Sequence, residues 1–139
     1  MARLYAQFGA VVFLAFGLGG FLTGDVGTVV HQLPQGNLGH VILHLTYTRD
    51  VLNLVIAGVL GFAGFRAGDS ITGEIVLTVG VVLLLLAVVG FANPDTVQGT
   101  NSIVGLHFTE VINIFDLIAG MLGVLCGIGG ATAHESVTT

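Results

Sequence analysis

The stretch IVLTVGVVLLLLAVVGFA, residues 75–92, runs for 18 positions without a charged side chain. A helix rising 1.5 Å per residue needs about 20 residues to cross the roughly 30 Å of hydrocarbon in a bilayer. Extended back to Ile71, this segment meets that length. Its β-branched start, EIVLTVGVV, would favour a strand in water. In lipid an open strand would leave its backbone N–H and C=O groups unpaired, so helix is the expected form. Three more apolar segments lie outward from it, at residues 4–22, 51–66 and 107–128. The first is interrupted only by Gln7. The second is short and ends at Arg66; it reaches full span length if residues 47–50 are drawn in, or if the bilayer thins around it.

Composition agrees with the spans. Only 8% of the 139 residues are charged, against about 25% in soluble domains. The mean hydropathy is +1.00. Lysine is absent, and the basic residues are Arg3, Arg49 and Arg66. Such a surface would not keep a monomer dissolved, so the chain reads as one integral membrane domain over residues 1–139, with the lipid bilayer as its surroundings. A net charge of −5 with no basic patch argues against nucleic acid as a partner. The single cysteine, Cys126, excludes an internal disulfide and reads as an apolar filler. The opening MARLYAQFGAVVFLAFGLGG imitates a signal peptide; we read it as a retained first span.

Four spans return the chain to its starting side. Arg3 and Arg66 then share a side and Arg49 lies opposite, so the positive-inside tendency predicts cytoplasmic N- and C-termini. The connections differ in kind. Residues 23–48 include HQLPQGNLGHVILHL, whose 38–45 part suits a short interfacial helix. RAGDS (66–70) is a tight turn, NPDTVQGTNSIVG (93–105) carries Asn-Pro and Gln-Gly turn signals, and residues 131–139 form a polar tail. A repeat underlies the spans. FGAVVFLAFGLGGF (8–21) resembles VGVVLLLLAVVGF (79–91), LHLT (43–46) resembles LHFT (106–109), and IAGVLG (56–61) resembles IAGMLG (118–123). The expected architecture is therefore an all-α, integral membrane four-helix bundle of two tandem helix-pair repeats. Their pseudo-twofold axis would run along the membrane normal.

Helices in lipid associate by close packing and hydrogen bonds, because the tails are as apolar as leucine. Ala119, Gly123 and Gly127 form a small-residue stripe with Gly120 beside it. Ala57 and Gly61 repeat it in the second span, and Gly9 and Gly17 appear in the first. These stripes suit either contact within the bundle or a dimer face.

The fourth span opens with a polar row, His107, Glu110, Asn113 and Asp116, at three-residue intervals. Counted from His107, Asp116 lies nine residues in, about 13 Å deep. An acid there costs on the order of 3 kcal/mol to insert. It calls for a partner, a water-filled cavity or a protonated carboxyl. Arg49, Asp50 and Asn53 at the start of the second span are the candidate partners. Arg49 with Glu110 is the expected ion pair, and Asn53 the expected hydrogen-bond partner of Asp116 or Asn113. His44 and His107 fall at matching repeat positions, where two histidines on facing helices could hold a haem or a pigment. A headgroup contact is the plainer reading of both, and His40 shares a helical face with His44. Zinc spacing, a nucleophile elbow and a phosphate loop are all missing, so neither a metal site nor a catalytic residue is expected.

The stretches RLYAQFGAVVFLAFGLGGFLTGD and DVLNLVIAGVLGFAGF, replayed by GEIVLTVGVVLLLLAVVGFANPD and TEVINIFDLIAGMLGVL, resemble a family of small four-helix prokaryotic membrane proteins catalogued as a domain of unknown function. The resemblance covers about two thirds of the chain. It implies the helix-pair architecture and no activity. An Asn/His pair precedes the glycine of the even helices in that family; here Asp50 with Asn53, and Glu110 with Asn113, stand in those places. The expected function is a non-enzymatic structural or assembly subunit, without a cofactor, that self-associates as a homo-oligomer or joins a larger membrane complex. The alternative is a subunit that binds haem or pigment or moves protons or ions. A small-solute channel is a third class.

Overall fold

The computed structural model describes residues 1–23, 47–93, 106 and 108–135. These hold four α-helices and no β-strand: α1 (Ala2–Thr23), α2 (Tyr47–Phe65), α3 (Asp69–Ala92) and α4 (Glu110–Glu135). All four are long and apolar enough to cross a membrane. The second helix begins at Tyr47, so residues 47–50 supply the length that its apolar run lacks.

Two boundaries differ from the sequence reading. The fourth helix starts at Glu110 rather than at residue 107. The Thr109 hydroxyl accepts from the Ile112 N–H at 3.4 Å, and the Thr109 carbonyl accepts from the Asn113 N–H at 2.9 Å. Thr109 is thus the N-cap, satisfying one of the four N–H groups that a helix start leaves without a helical partner. At the other end the helix continues through residues 131–135 of the expected tail. Alanines at 131 and 133 favour continuation, and each added turn satisfies carbonyls that would otherwise be left open.

Each helix packs antiparallel to its neighbour in sequence. Gly9 faces Leu60 and Gly20 faces Asp50, while Gly80 faces Gly123 and Gly90 faces Asn113. The chain is thus two hairpins, α1–α2 and α3–α4, laid together in a bundle. A tight turn at 66–68 joins them. The Phe62 carbonyl accepts from both Arg66 N (2.9 Å) and Ala67 N (3.0 Å), and the Thr72 hydroxyl is shared between the carbonyls of Ala63 (2.8 Å) and Gly68 (3.0 Å). Between hairpins, the Tyr5 hydroxyl donates to the Ala119 carbonyl at 2.8 Å. Phe13 and Phe16 of α1 meet Phe115 of α4, with ring centroids 5.6 and 5.2 Å apart.

The core mixes alanines with larger apolar side chains: Ala2, Ala6, Ala10 and Phe13 of α1 against Ile56, Ala57, Leu60 and Ala63 of α2 and Val76, Val79 and Leu83 of α3. Many large apolar side chains point outward; Phe8 is 70% exposed and Leu125 65%. This arrangement suits lipid, where an exposed leucine costs nothing and a small residue inside lets backbones approach.

The small-residue stripes are used inside the chain. A Cβ on Gly80 would sit 2.6 Å from the Val124 backbone nitrogen, and one on Gly127 would sit 2.6 Å from that of Leu77. Gly123 lies against the Gly80 Cα, Gly61 faces Ala10, Ala57 is buried in the core, and Ala119 offers its carbonyl to Tyr5. Of the two uses open to these stripes, contact within the bundle is the one observed.

Candidate functional site: a buried polar cluster at one end of the bundle

At the end where α1 and α3 finish and α2 and α4 begin, five polar side chains are buried: Arg49, Asp50, Asn53, Asn113 and Asp116. Asp116 is fully enclosed and Arg49 is 2% exposed. A guanidinium and a carboxylate taken out of water must find each other, since an isolated buried charge is far more costly than a paired one. They do so: Arg49 Nη2 donates to Asp116 Oδ1. This contact joins α2 of the first hairpin to α4 of the second.

The pairing corrects the expected one between Arg49 and Glu110. As the first residue of α4, Glu110 is exposed. It can stay hydrated there and is favoured by the positive end of the helix dipole. Asp116 has no access to water in the structure, so it has the stronger need for the cation. It is also shallower than the sequence count suggested: six residues beyond Glu110, about 9 Å from the helix start.

Two glycines make room for the cluster. The Asp50 carboxylate rests on Gly20 of α1, and the Asn113 carboxamide rests on Gly90 of α3; a Cβ on either glycine would overlap the side chain above it. The two hairpins thus share one local arrangement, a polar side chain from the first turns of the even helix lying on a glycine near the end of the odd helix. The residue of α4 that packs in this way is Asn113, whereas Glu110 faces outward. Neither glycine was a candidate site residue. A signal existed, because GGF (19–21) resembles VGF (89–91). However, an apolar stretch does not reveal which glycine faces a carboxylate.

Asn113 Oδ1 and Asp116 Oδ2 are buried without a hydrogen-bond partner among the described residues. Asn53 is buried in the same end of the bundle, but no hydrogen bond links it to Asn113 or Asp116. His44 and His107, the candidate haem or pigment ligands, lie outside the described residues, as do His31 and His40. Among the described residues no group of three or more His, Cys, Asp and Glu side chains could hold a metal ion.

The opposite end of the molecule carries a different polar group. Arg3 bonds Asp69 Oδ1 through Nη2 (2.6 Å) and Nε (3.1 Å), and its Nη2 also reaches the Ala67 carbonyl at 2.9 Å. Gln7 Nε2 donates to the Gly64 carbonyl at 3.1 Å. These contacts tie α1 to the turn between the hairpins, and the Asp69 side chain is 89% exposed.

A membrane-type helical bundle with a buried charged cluster is the class that fold and site define. No protein-family model, curated protein or solved structure matches the chain.

Proposed function

We propose that this chain is a non-enzymatic integral membrane protein that serves as a structural or assembly subunit of the cell membrane. The observation that carries the reading is the Arg49–Asp116 contact between hairpins. The buried charges link helices to each other, and the remainder of the described surface offers lipid or a partner helix large apolar side chains. Both termini are assigned to the cytoplasmic side. Arg3 and Arg66 support this, whereas Arg49 is held inside the bundle and does not count against it.

The small-residue stripes no longer support self-association, because they are occupied within the chain. Assembly rests instead on the apolar outer face, and the test is native mass spectrometry of protein extracted with its surrounding lipid. A mass above that of one chain, from copies or from other subunits, is expected. A single-chain mass under every extraction condition would remove the assembly role.

A second reading, a subunit that handles protons or ions, is favoured by the two unsatisfied oxygens on Asn113 and Asp116. Ionisable groups inside membrane spans commonly mark such paths. Proton flux into vesicles that carry the protein, measured with an entrapped pH dye, tests it: flux above that of empty vesicles is expected.

A further inference from the structure

Asn113 Oδ1 and Asp116 Oδ2 share three properties. Both are acceptors, both are fully buried, and both lack a donor among the described residues. They also stand three residues apart on α4, a spacing that places side chains side by side on one face. Each carries the cost of an unmade hydrogen bond. A single proton removes both defects. Bound to Asp116 Oδ2, it turns that oxygen into a donor, and Asn113 Oδ1, three residues away on the same helix, is an acceptor that lacks one.

The surrounding charges point the same way. From α2 the cluster receives Arg49 and Asp50; α4 itself contributes Asp116. Among the described residues, α1 and α3 bring no ionisable group to this end: Arg3 and Tyr5 sit at the opposite end of α1, and Asp69 and Glu74 at the opposite end of α3. Glu110 is at the exposed start of α4. Among these groups the basic side chain is Arg49, and it reaches Asp116. Arg49 binds Asp116 through Oδ1, which leaves Oδ2 open. The contact of Asn113 with Gly90 holds the carboxamide in place, with no room for a side chain on the glycine.

We propose that Asp116 and Asn113 form a proton-binding site within the membrane span, with the proton carried on Asp116 Oδ2 and hydrogen-bonded to Asn113 Oδ1. The proposal rests on the second reading above and names the carrier within it. The proton is the whole ligand: it adds to a carboxylate lone pair on uptake and leaves to water on release, with no redox step.

The test is infrared difference spectroscopy of the full chain in lipid nanodiscs, across the pH range in which it stays folded. A protonated-carboxyl C=O stretch is expected that shifts in heavy water, disappears in Asp116→Asn and changes frequency in Asn113→Ala. The second variant leaves the Arg49–Asp116 contact in place, so it remains informative if Asp116→Asn does not fold. A wild-type spectrum without this band, or a band indifferent to Asn113→Ala, would overturn the proposal; an ordered water bridging two unprotonated groups would give the former. Vesicles that conduct protons while the band is missing would keep the second reading and discard Asp116 as its carrier.

Discussion

The two ends of the bundle each hold an arginine and an aspartate, and the pairs differ in almost everything else. At one end Arg3 and Asp69 meet in the open, with Asp69 89% exposed. At the other, Arg49 and Asp116 are enclosed. An exposed pair gives up little hydration and gains little, typically about 0–1 kcal/mol. An enclosed pair has lost its water, so removing one partner strands the other and costs about 3–5 kcal/mol. Only the second kind can make one hairpin depend on the other.

The largest effect should therefore come from Arg49→Met. We expect a loss of about 3–5 kcal/mol, read from unfolding in mixed micelles. Asp116→Leu in the same chain should recover much of it, because the stranded charge is then gone. An Arg49→Met variant as stable as wild type would erase the contrast between the ends. Next come the glycines under the cluster. Gly90→Ala pushes a methyl group into Asn113, and a cost of about 1–3 kcal/mol is expected. Asn113→Ala should relieve it in the double variant, a non-additivity that a mutant cycle measures directly. Gly123→Leu belongs with these as damage to the α3–α4 contact, visible as lower stability in the single chain.

Smaller still is Tyr5→Phe, which removes one hydrogen bond, the donation to Ala119, and should cost about 0.5–1.5 kcal/mol by the same unfolding measurement. The least change is expected for Asp69→Asn at the open end. It should cost no more than about 1 kcal/mol, and less as salt is added. A salt-independent loss several times larger would show that the Arg3 contacts matter as more than a surface pair.

Much of the architecture was legible because lipid simplifies the problem. A stretch such as residues 75–92 has one way to satisfy its backbone, so apolar length alone locates α3. Residues 47–50 were marked as the extension α2 needs, and they are helical. The small-residue stripes were visible too, but not their partners: spacing places Gly123 and Gly127 on one face without saying whether that face meets α3 or another molecule. The polar residues were found and then mispaired. Arg49 was matched to Glu110 by their place in the chain, whereas hydration decides the pairing. Glu110 keeps its water at the helix start and Asp116 does not.

The sequence by itself determined that four helices form, where their apolar cores lie, and which few side chains would be costly inside a membrane. Those properties are local, set by transfer of each residue and its backbone from water to hydrocarbon. Only the tertiary structure decided that Arg49 takes Asp116, that Gly20 and Gly90 carry Asp50 and Asn113, and that two oxygens on α4 are buried without a donor among the described residues. These depend on which helix faces meet and how deeply each group is cut off from water, and residue order does not encode either distance.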